Sequence, residues 1–216
     1  MKIIKPSAEI LRPQLTQEAI DSIYKIITVC GTTSYLGDKE LTSEYTRKFV
    51  HDRIKEGHES VLEHAVMTVR FIVDRGVSHE LVRHRIAAIT QESQRYVNYS
   101  KDKFGNEVTF IKPLFFEQGS QLYKEWYDAM QMAENTYMKM LNCGAKPEEA
   151  RTVLPNSTKT TVSMTCNLRE WRHIFKLRAA GTTGKPHPQM VEVILPLLKQ
   201  CQELMPEIFS DIVVKE

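Results

Sequence analysis

The chain has 216 residues, of which 42% are hydrophobic, and 29 Lys and Arg side chains nearly balance 27 Asp and Glu. This length supports one substantial core, and a net charge of +2 excludes the global basic field of a general nucleic-acid-binding protein. No apolar run approaches the ~20 residues that span a bilayer, and the first residues lack the apolar core of a signal peptide, so we expect a cytoplasmic protein with no membrane partner.

Hydrophobic periodicity and turn residues predict strands and helices in alternation along the first half of the chain. In chain order we predict an edge strand at 1–11, a helix at 16–28, a loop at 30–39, a helix at 42–57, the central strand at 65–74, a short helix capped by Ser78, a strand at 95–99, a charged turn at 101–106 and a strand at 108–111. The central strand is rich in β-branched and aromatic residues, with Val69, Phe71 and Val73 on one face.

The second half of the chain is predicted to be mostly helical. In chain order we predict a long amphipathic helix at 120–141, a helix starting near 146, a strand at 158–165, a helix at 168–178 capped by Asn167, and a final helix at 187–209 with a kink near Pro196. No repeat or linker interrupts this order. The pattern predicts a single α+β domain over residues 1–216, with helices around a mostly antiparallel sheet.

The histidines and cysteines lack the spacing of metal ligands. His58 and His64 are six residues apart, and the residue four positions after His79 is Arg83, so neither place has the HExxH pattern of a zinc protease. The four cysteines show no CxxC pair and are expected to be buried thiols without a role in chemistry; they are Cys30, Cys143, Cys166 and Cys201. The sequence therefore predicts no metal site.

Cationic side chains are concentrated in the tripeptide Arg83-His84-Arg85. Adjacent cations repel one another and Glu92 alone cannot neutralise them, so the pattern favours an external anion, phosphate first, held by forked guanidinium groups. The alternative is a solvated basic helix end. The helix at 168–178 presents the same choice, and there we favour a solvated face for Arg172 and Lys176.

Three motifs, in the same order, resemble those of the flavin-dependent thymidylate synthases. The tripeptide is followed after seven residues by Ser93 and then by Gln-Arg-Tyr, which resembles the family signature. Upstream, Gly57 precedes His-x-Ser-x-x-Glu-His, and downstream Ala-Arg-x-x-Leu-Pro ends at Pro155. Further pocket residues are matched by an Asn-x-Arg pair at Asn167 and a Leu-Arg pair ending at Arg178. The resemblance covers about residues 57–189.

This resemblance implies the family's fold and a specific reaction. The reaction is reductive methylation of dUMP to dTMP, with methylenetetrahydrofolate as carbon donor, FAD as hydride carrier and NADPH as reductant. It also implies a homotetramer whose sites are shared between subunits. Position 91 is an amide where some members carry a carboxylate, His173 stands where Asn is frequent, and residues 181–186 resemble an insertion.

The resemblance also assigns residues to each ligand. The flavin set, expected to bind FAD, comprises Ser60, Glu63, Arg83, His84, Arg85, Gln91, Asn167, Arg169 and His173. The substrate set, expected to bind dUMP or, for His58, to lie near the folate, comprises His58, Glu80, Arg83, Gln91, Glu92, Ser93, Gln94, Arg95, Arg151 and Arg178. Arg178 is the expected catalytic residue, and Ser93 is expected to bind substrate because no neighbouring base activates its hydroxyl.

Two other functions remain as alternatives. A nucleic-acid-binding module would use cationic side chains against phosphates, namely Arg83, Arg85, Arg95, Arg169 and Arg172, although the near-zero net charge weighs against it. A flavoprotein reductase without methyl transfer would keep the flavin but not dUMP. No Gly-rich dinucleotide fingerprint or P-loop is present to decide between them.

Overall fold

A computed structural model describes residues 1–35, 40–102 and 105–214. Parts of the predicted loop at 30–39 and of the predicted turn at 101–106 lie outside these ranges. The strands are β1 Lys2–Ile4, β2 Ser7–Arg12, β3 Val66–Asp74, β4 Ala88–Gln91, β5 Thr109–Ile111 and β6 Lys159–Asn167. The helices are α1 Gln17–Thr32, α2 Ser43–Lys55, α3 Arg75–Leu81, α4 Gln121–Asn142, α5 Pro147–Ala150, α6 Leu168–Arg178, α7 Pro188–Leu204 and α8 Pro206–Phe209, with a 3-10 helix at Glu59–His64. None of the described helices is both long and apolar enough to cross a membrane.

Four helices begin directly after a residue whose side chain caps the first turn. A hydroxyl or amide oxygen of the residue before the helix accepts a hydrogen bond from a backbone N–H of the first turn in α1, α2, α4 and α6; the caps are Thr16, Thr42, Ser120 and Asn167. These four starts confirm the predictions. Gly57 lies just beyond α2 with φ +79°, a left-handed conformation that a side chain disfavours.

A four-stranded sheet has the order β2-β3-β6-β4, and a separate pair joins β1 to β5 in parallel. Leu168 N donates to Ala65 O at 2.9 Å, and the Thr68 and Thr165 hydroxyls are 2.9 Å apart, so β3 and β6 run antiparallel. The predicted α+β class with an antiparallel sheet is confirmed, and β3 is an inner strand as predicted.

The chain groups into two compact units. Unit 1 consists of Met1–Ser7, Phe71–Arg83 and Thr90–Val162, and its core packs α4 against β5 through residues including Phe110, Met130 and Tyr137. Unit 2 consists of Ala8–Arg70, His84–Ile89 and Ser163–Glu216. The single domain over 1–216 stays a prediction.

The core of unit 2 surrounds the buried face of α6. The Trp171 and Phe175 rings lie 5.7 Å apart, and Phe175 meets Phe209 edge to face at 5.5 Å. Trp171 Nε1 also donates to Met67 O at 3.0 Å, which satisfies its buried polar atom. These contacts fix the position of α6 within unit 2.

Several predicted elements are wrong in detail. The strand at 1–11 is two strands, in different sheets, on either side of Pro6. The strand at 95–99 is a turn, because the N–H groups of Tyr96 and Val97 both donate to Ser93 O. The final helix is interrupted at Met205, and α8 begins at the proline that follows.

The start of α3 and the strand β4 are further corrections. Asp74, not Ser78, caps α3, since Asp74 Oδ1 accepts from Val77 N at 2.7 Å. Ser78 Oγ donates instead to Arg75 O at 2.8 Å within that helix. The short strand β4 lies inside the Arg-His-Arg motif region and was not predicted.

Candidate functional site

A cavity of about 530 Å³ in unit 2 is lined by seven polar or charged residues and one apolar residue. Its lining residues are Glu59, Glu63, Ile86, Asn167, Arg169, Glu170, His173 and Lys176. Four members of the flavin set, from the 3-10 helix, the end of β6 and α6, therefore line one cavity; they are Glu63, Asn167, Arg169 and His173. The apolar residue is Ile86, which is 70% exposed.

The junction between β6 and α6 positions two of these side chains. Asn167 Oδ1 accepts from Glu170 N at 2.8 Å, which holds the asparagine at the helix start. Arg169 Nη1 donates to Glu63 Oε1 at 2.5 Å, and both side chains are about half-exposed. This pair is a surface ion pair, so an incoming anion can compete with the carboxylate for the guanidinium group.

Arg172 lies on the buried side of the same helix, and its predicted solvated position is wrong. The residue is 1% exposed, and its guanidinium makes a bidentate pair with Asp211 at 2.6 Å and donates to Glu59 Oε1 at 3.0 Å and to Ile208 O. Lys176 is half-buried and also donates to Glu59 Oε1, at 3.4 Å. Glu59 thus joins the 3-10 helix at the cavity wall to α6.

Burial and ion pairing act in opposite directions on this cluster. Burial acts to raise the pKa of Glu59, but the hydrogen bond and charge of Arg172 outweigh burial and leave that pKa below its ordinary value. The same balance lowers the pKa of Asp211. Burial acts to lower the pKa of Arg172, yet hydrogen bonds from Arg172 to Asp211 and Glu59 raise the pKa overall, so all three groups remain charged at neutral pH.

His84 is buried in unit 2 between two residues of α6. Arg178 Nε donates to His84 Nε2 at 3.2 Å, and Glu170 Oε1 lies 3.7 Å from His84 Nδ1. Burial, the charge of Arg178 and that of His173 lower the pKa of His84 to about 4. Burial raises the pKa of Glu170, although the charge of His173 acts to lower it. The imidazole is therefore neutral at neutral pH.

Most of the substrate set lies in unit 1, around the turn after β4. Glu92 accepts from Lys159 Nζ at 2.5 Å and from the Thr161 hydroxyl at 3.1 Å, and its other oxygen accepts from the Tyr99 hydroxyl at 3.3 Å. Burial, and then the charge of Glu92, raise the pKa of Tyr99. Both carboxylate oxygens of Glu92 are thus occupied inside the protein.

The neighbouring residues of the substrate set are arranged around this turn. Gln91 Nε2 donates to Ser78 Oγ at 2.9 Å and to Thr160 Oγ1 at 3.3 Å. Ser93 Oγ accepts from Arg95 N at 3.3 Å. The turn is therefore held by the hydroxyl of Ser93 within it and by the hydrogen bonds of Gln91 to α3 and β6.

Two cations of the substrate set meet the same residue of α5. Arg95 Nε lies 3.3 Å from Glu148 Oε2, and Arg151 Nε donates to Glu148 O at 3.3 Å. Both arginines are exposed. Sequence reasoning missed Glu148, which lies in the first turn of α5 and belongs to none of the site motifs.

The remaining set members lie at several other positions. In unit 1, Arg83 is exposed, and Glu80 and Gln94 are half-buried. In unit 2, Arg85 and Ser60 are exposed, as is His58, which approaches Glu56 Oε2 at 3.7 Å.

The cysteines differ from the expectation of four buried thiols. Cys166 and Cys201 are buried, Cys30 is half-buried and Cys143 is exposed. Burial, with the charge of Glu170, raises the pKa of the Cys166 thiol, and burial raises that of Cys201 to about 12. Within residues 1–35, 40–102 and 105–214, no three His, Cys, Asp or Glu side chains form a group able to hold a metal ion.

Residues 14–207 match the protein family described as "Thymidylate synthase complementing protein". The chain belongs to this family. Among curated relatives, the flavin-dependent thymidylate synthase of Pyrococcus abyssi is 36% identical over 83% of this chain and 76% of its own length. The flavin-dependent thymidylate synthase of Geobacter sulfurreducens is 33% identical over 80% of this chain and 72% of its own length. The flavin-dependent thymidylate synthase of Pyrococcus furiosus is 36% identical over 70% of this chain, which spans only 64% of that relative.

A solved structure shares the fold of this family member. The crystal structure of a UMP/dUMP methylase PolB from Streptomyces cacaoi bound with 5-Br dUMP superimposes with a TM-score of 0.76. The match covers 97% of this chain and 96% of that chain at 21% sequence identity. The likeness therefore shows that the two chains have the same fold.

Proposed function

We propose that this chain is a thymidylate synthase that methylates dUMP reductively to dTMP, with methylenetetrahydrofolate as carbon donor, FAD as cofactor and NADPH as reductant. One observation carries the proposal. Residues from separate motifs of a thymidylate synthase family, among them Glu63, Asn167 and Arg169, line a single cavity in unit 2. The relatives named flavin-dependent thymidylate synthase support the same reaction.

The chemistry of the cavity fits a flavin nucleotide. Its volume of about 530 Å³ is in the range of small-molecule sites. Arg169 and Lys176 offer cationic donors for a diphosphate, and exposed Ile86 offers an apolar surface for a flat ring. FAD, when bound, supplies hydride transfer. The flavin set would hold it, and five members of that set lie outside the cavity lining: Ser60, Arg83, His84, Arg85 and Gln91.

The substrate set would recognise a nucleoside monophosphate. Arg95 and Arg151 are exposed cations around Glu148, and a phosphate of higher charge can replace this carboxylate as the partner of Arg95. The hydroxyl of Ser93 and the amide of Gln91 add uncharged hydrogen-bonding groups. The Glu92 carboxylate, which would repel a phosphate, is already neutralised by Lys159.

Arg178 would stabilise the reacting base. Bond formation between C5 of uracil and the methylene carbon moves negative charge onto the ring nitrogen and carbonyl oxygens. A planar guanidinium offers two aligned donors to that charge, whereas a lysine offers a point charge. Arg178→Lys should therefore lower dTMP formation about 10²–10³-fold, the usual loss for one such donor.

The proposed assembly is a homotetramer with sites shared between subunits. Exposed apolar side chains support contacts between copies: Leu122 and Met132 on α4 in unit 1, and Ile26 and Val29 on α1 in unit 2. Sedimentation of the purified protein measures the oligomeric state directly, and a monomer at micromolar concentration would contradict the assembly.

The function is tested by reconstitution. Purified protein is loaded with FAD and supplied with dUMP, methylenetetrahydrofolate and NADPH, and dTMP is quantified by chromatography with each component omitted in turn. We expect dTMP only in the complete mixture and a change in the flavin absorption spectrum on adding dUMP. NADPH oxidation without dTMP at saturating dUMP would instead identify a flavoprotein reductase, and affinity for duplex DNA without flavin binding would identify a nucleic-acid-binding module.

A further inference from the structure

We infer that His84 is a positioning residue that holds the guanidinium of Arg178 by accepting its Nε–H, and that Glu170 selects the histidine tautomer able to do so. The inference rests on the proposed function in one respect, the role of Arg178 toward the substrate. The geometry on which it stands lies wholly within unit 2.

The direction of the hydrogen bond determines the tautomer. A guanidinium group has donors and no acceptor, so the 3.2 Å contact between Arg178 Nε and His84 Nε2 requires a lone pair on the imidazole nitrogen. A neutral imidazole with an acceptor at Nε2 carries its proton on Nδ1. That nitrogen faces Glu170 Oε1 at 3.7 Å, where a carboxyl oxygen favours a proton on the nearer nitrogen.

The surroundings of His84 maintain this state. His84 is 5% exposed and Glu170 is also buried, so water does not compete for either imidazole nitrogen. Within the part of the chain that the structure describes, the ionisable groups recorded against the ring are Glu170, His173 and Arg178 of α6. Burial lowers the pKa of His84 most, and the charges of Arg178 and His173 lower it further. The neutral imidazole that can accept a hydrogen bond therefore persists at neutral pH.

Fixing Nε restricts where the rest of the guanidinium group can lie. A free arginine side chain samples many rotamers, and ordering it in one of them costs conformational entropy. A hydrogen bond from its Nε to a buried, rotationally fixed ring removes much of this freedom before substrate binds. Because a misplacement of about 1 Å in an active site can cost ~10²-fold in rate, loss of the acceptor should reduce turnover more than ligand binding.

Kinetics of two substitutions test the coupling. His84→Leu removes the acceptor, whereas His84→Gln can place an amide oxygen near the former Nε2. At saturating FAD, we expect His84→Leu to lower kcat about 10–10²-fold, with the KM for dUMP within about 3-fold, and His84→Gln to recover most of the loss. In an Arg178→Lys background, His84→Leu should cost no more than about 3-fold further, since residues acting through one contact are non-additive. Fully additive losses, or no recovery with glutamine, would overturn the inference.

Nuclear magnetic resonance of the unsubstituted protein gives a readout that needs no activity and no variant. Nitrogen-15 correlation spectra of the imidazoles at neutral pH should show His84 as the neutral tautomer protonated on Nδ1, in flavin-free as well as flavin-loaded protein. In Arg178→Met the pKa of His84 should rise, because a neighbouring cation has been removed. A cationic His84 with protons on both nitrogens, or a neutral His84 with its proton on Nε2, would eliminate the inference even if dTMP is formed. The expected tautomer in a protein that forms no dTMP would instead leave the contact intact and refute the reaction assigned to Arg178.

Discussion

Replacing Arg172 with leucine should destabilise unit 2 by about 3 kcal/mol, the lower end of the range for removing one partner of a buried ion pair. The substitution removes a bidentate pair with Asp211 and a hydrogen bond to Glu59, and it leaves the Ile208 carbonyl without the Arg172 donor. An unsatisfied buried carbonyl alone costs about 1–3 kcal/mol. We take the lower end because Asp211 is 50% exposed and can be rehydrated, while Glu59 keeps its contact with Lys176.

The measurement is urea denaturation and thermal unfolding of flavin-free protein, with Arg70→Leu as the matched control. Arg70 pairs with Glu9 at 2.5 Å on the surface of the same unit, where the two side chains are 46% and 60% exposed. An exposed pair contributes about 0–1 kcal/mol, so the control should stay close to the unsubstituted protein. For a chain of this size, a loss of about 3 kcal/mol corresponds to a melting temperature lower by about 6–12 °C.

The pH dependence provides a second check on the Arg172 cluster. The pKa values of Glu59 and Asp211 are lowered in the folded protein because the hydrogen bonds to Arg172 outweigh burial. Their stabilisation is therefore present above the unfolded carboxylate pKa values of about 4 and is lost as pH falls through the lower folded values. The gap between unsubstituted protein and Arg172→Leu should narrow below about pH 4. A gap under about 1 kcal/mol at pH 7, within the range of an exposed pair, would refute this reasoning.

Three further predictions concern the substrate turn and the thiols. Glu92→Gln weakens the 2.5 Å pairing with Lys159, which links the turn after β4 to β6, and should therefore weaken dUMP binding severalfold by calorimetry. Turnover at saturating dUMP should stay within a few-fold, and unchanged dUMP binding would contradict the idea that this pairing positions the turn. Ser93→Ala should weaken dUMP binding and retain measurable turnover, and complete inactivity with normal binding would point to a nucleophile. With a thiol reagent at pH 8, exposed Cys143 should react at once and buried Cys201, whose pKa is raised to about 12, only after unfolding.

Features set by neighbouring residues were readable from the sequence. The caps at Thr16, Thr42, Ser120 and Asn167 require only an oxygen close to the backbone N–H groups that follow, so their local pattern predicted four helix starts. The period of two in β3 likewise follows from the geometry of a single strand. The motif spacing was sufficient to suggest the family, which the match over residues 14–207 confirms.

Local patterns were misleading where two structures were both compatible with the composition. Residues 95–99 suit a strand by composition, yet Ser93 O accepts from two later N–H groups and closes a turn. The strand β4 is only four residues long, which gives too few alternations to detect a period of two.

The surroundings of single charged residues were decided by tertiary structure alone. Arg172 resembles any other cation of an amphipathic helix, and its buried position depends on Glu59 and Asp211, which lie 113 and 39 residues away in the chain. His84 sits in a motif that indicates anion binding, but its acceptor role arises from Arg178, 94 residues later. A charge can be buried only when its partners are brought to it, and partners so distant in sequence meet only when the core of unit 2 packs α6 in place.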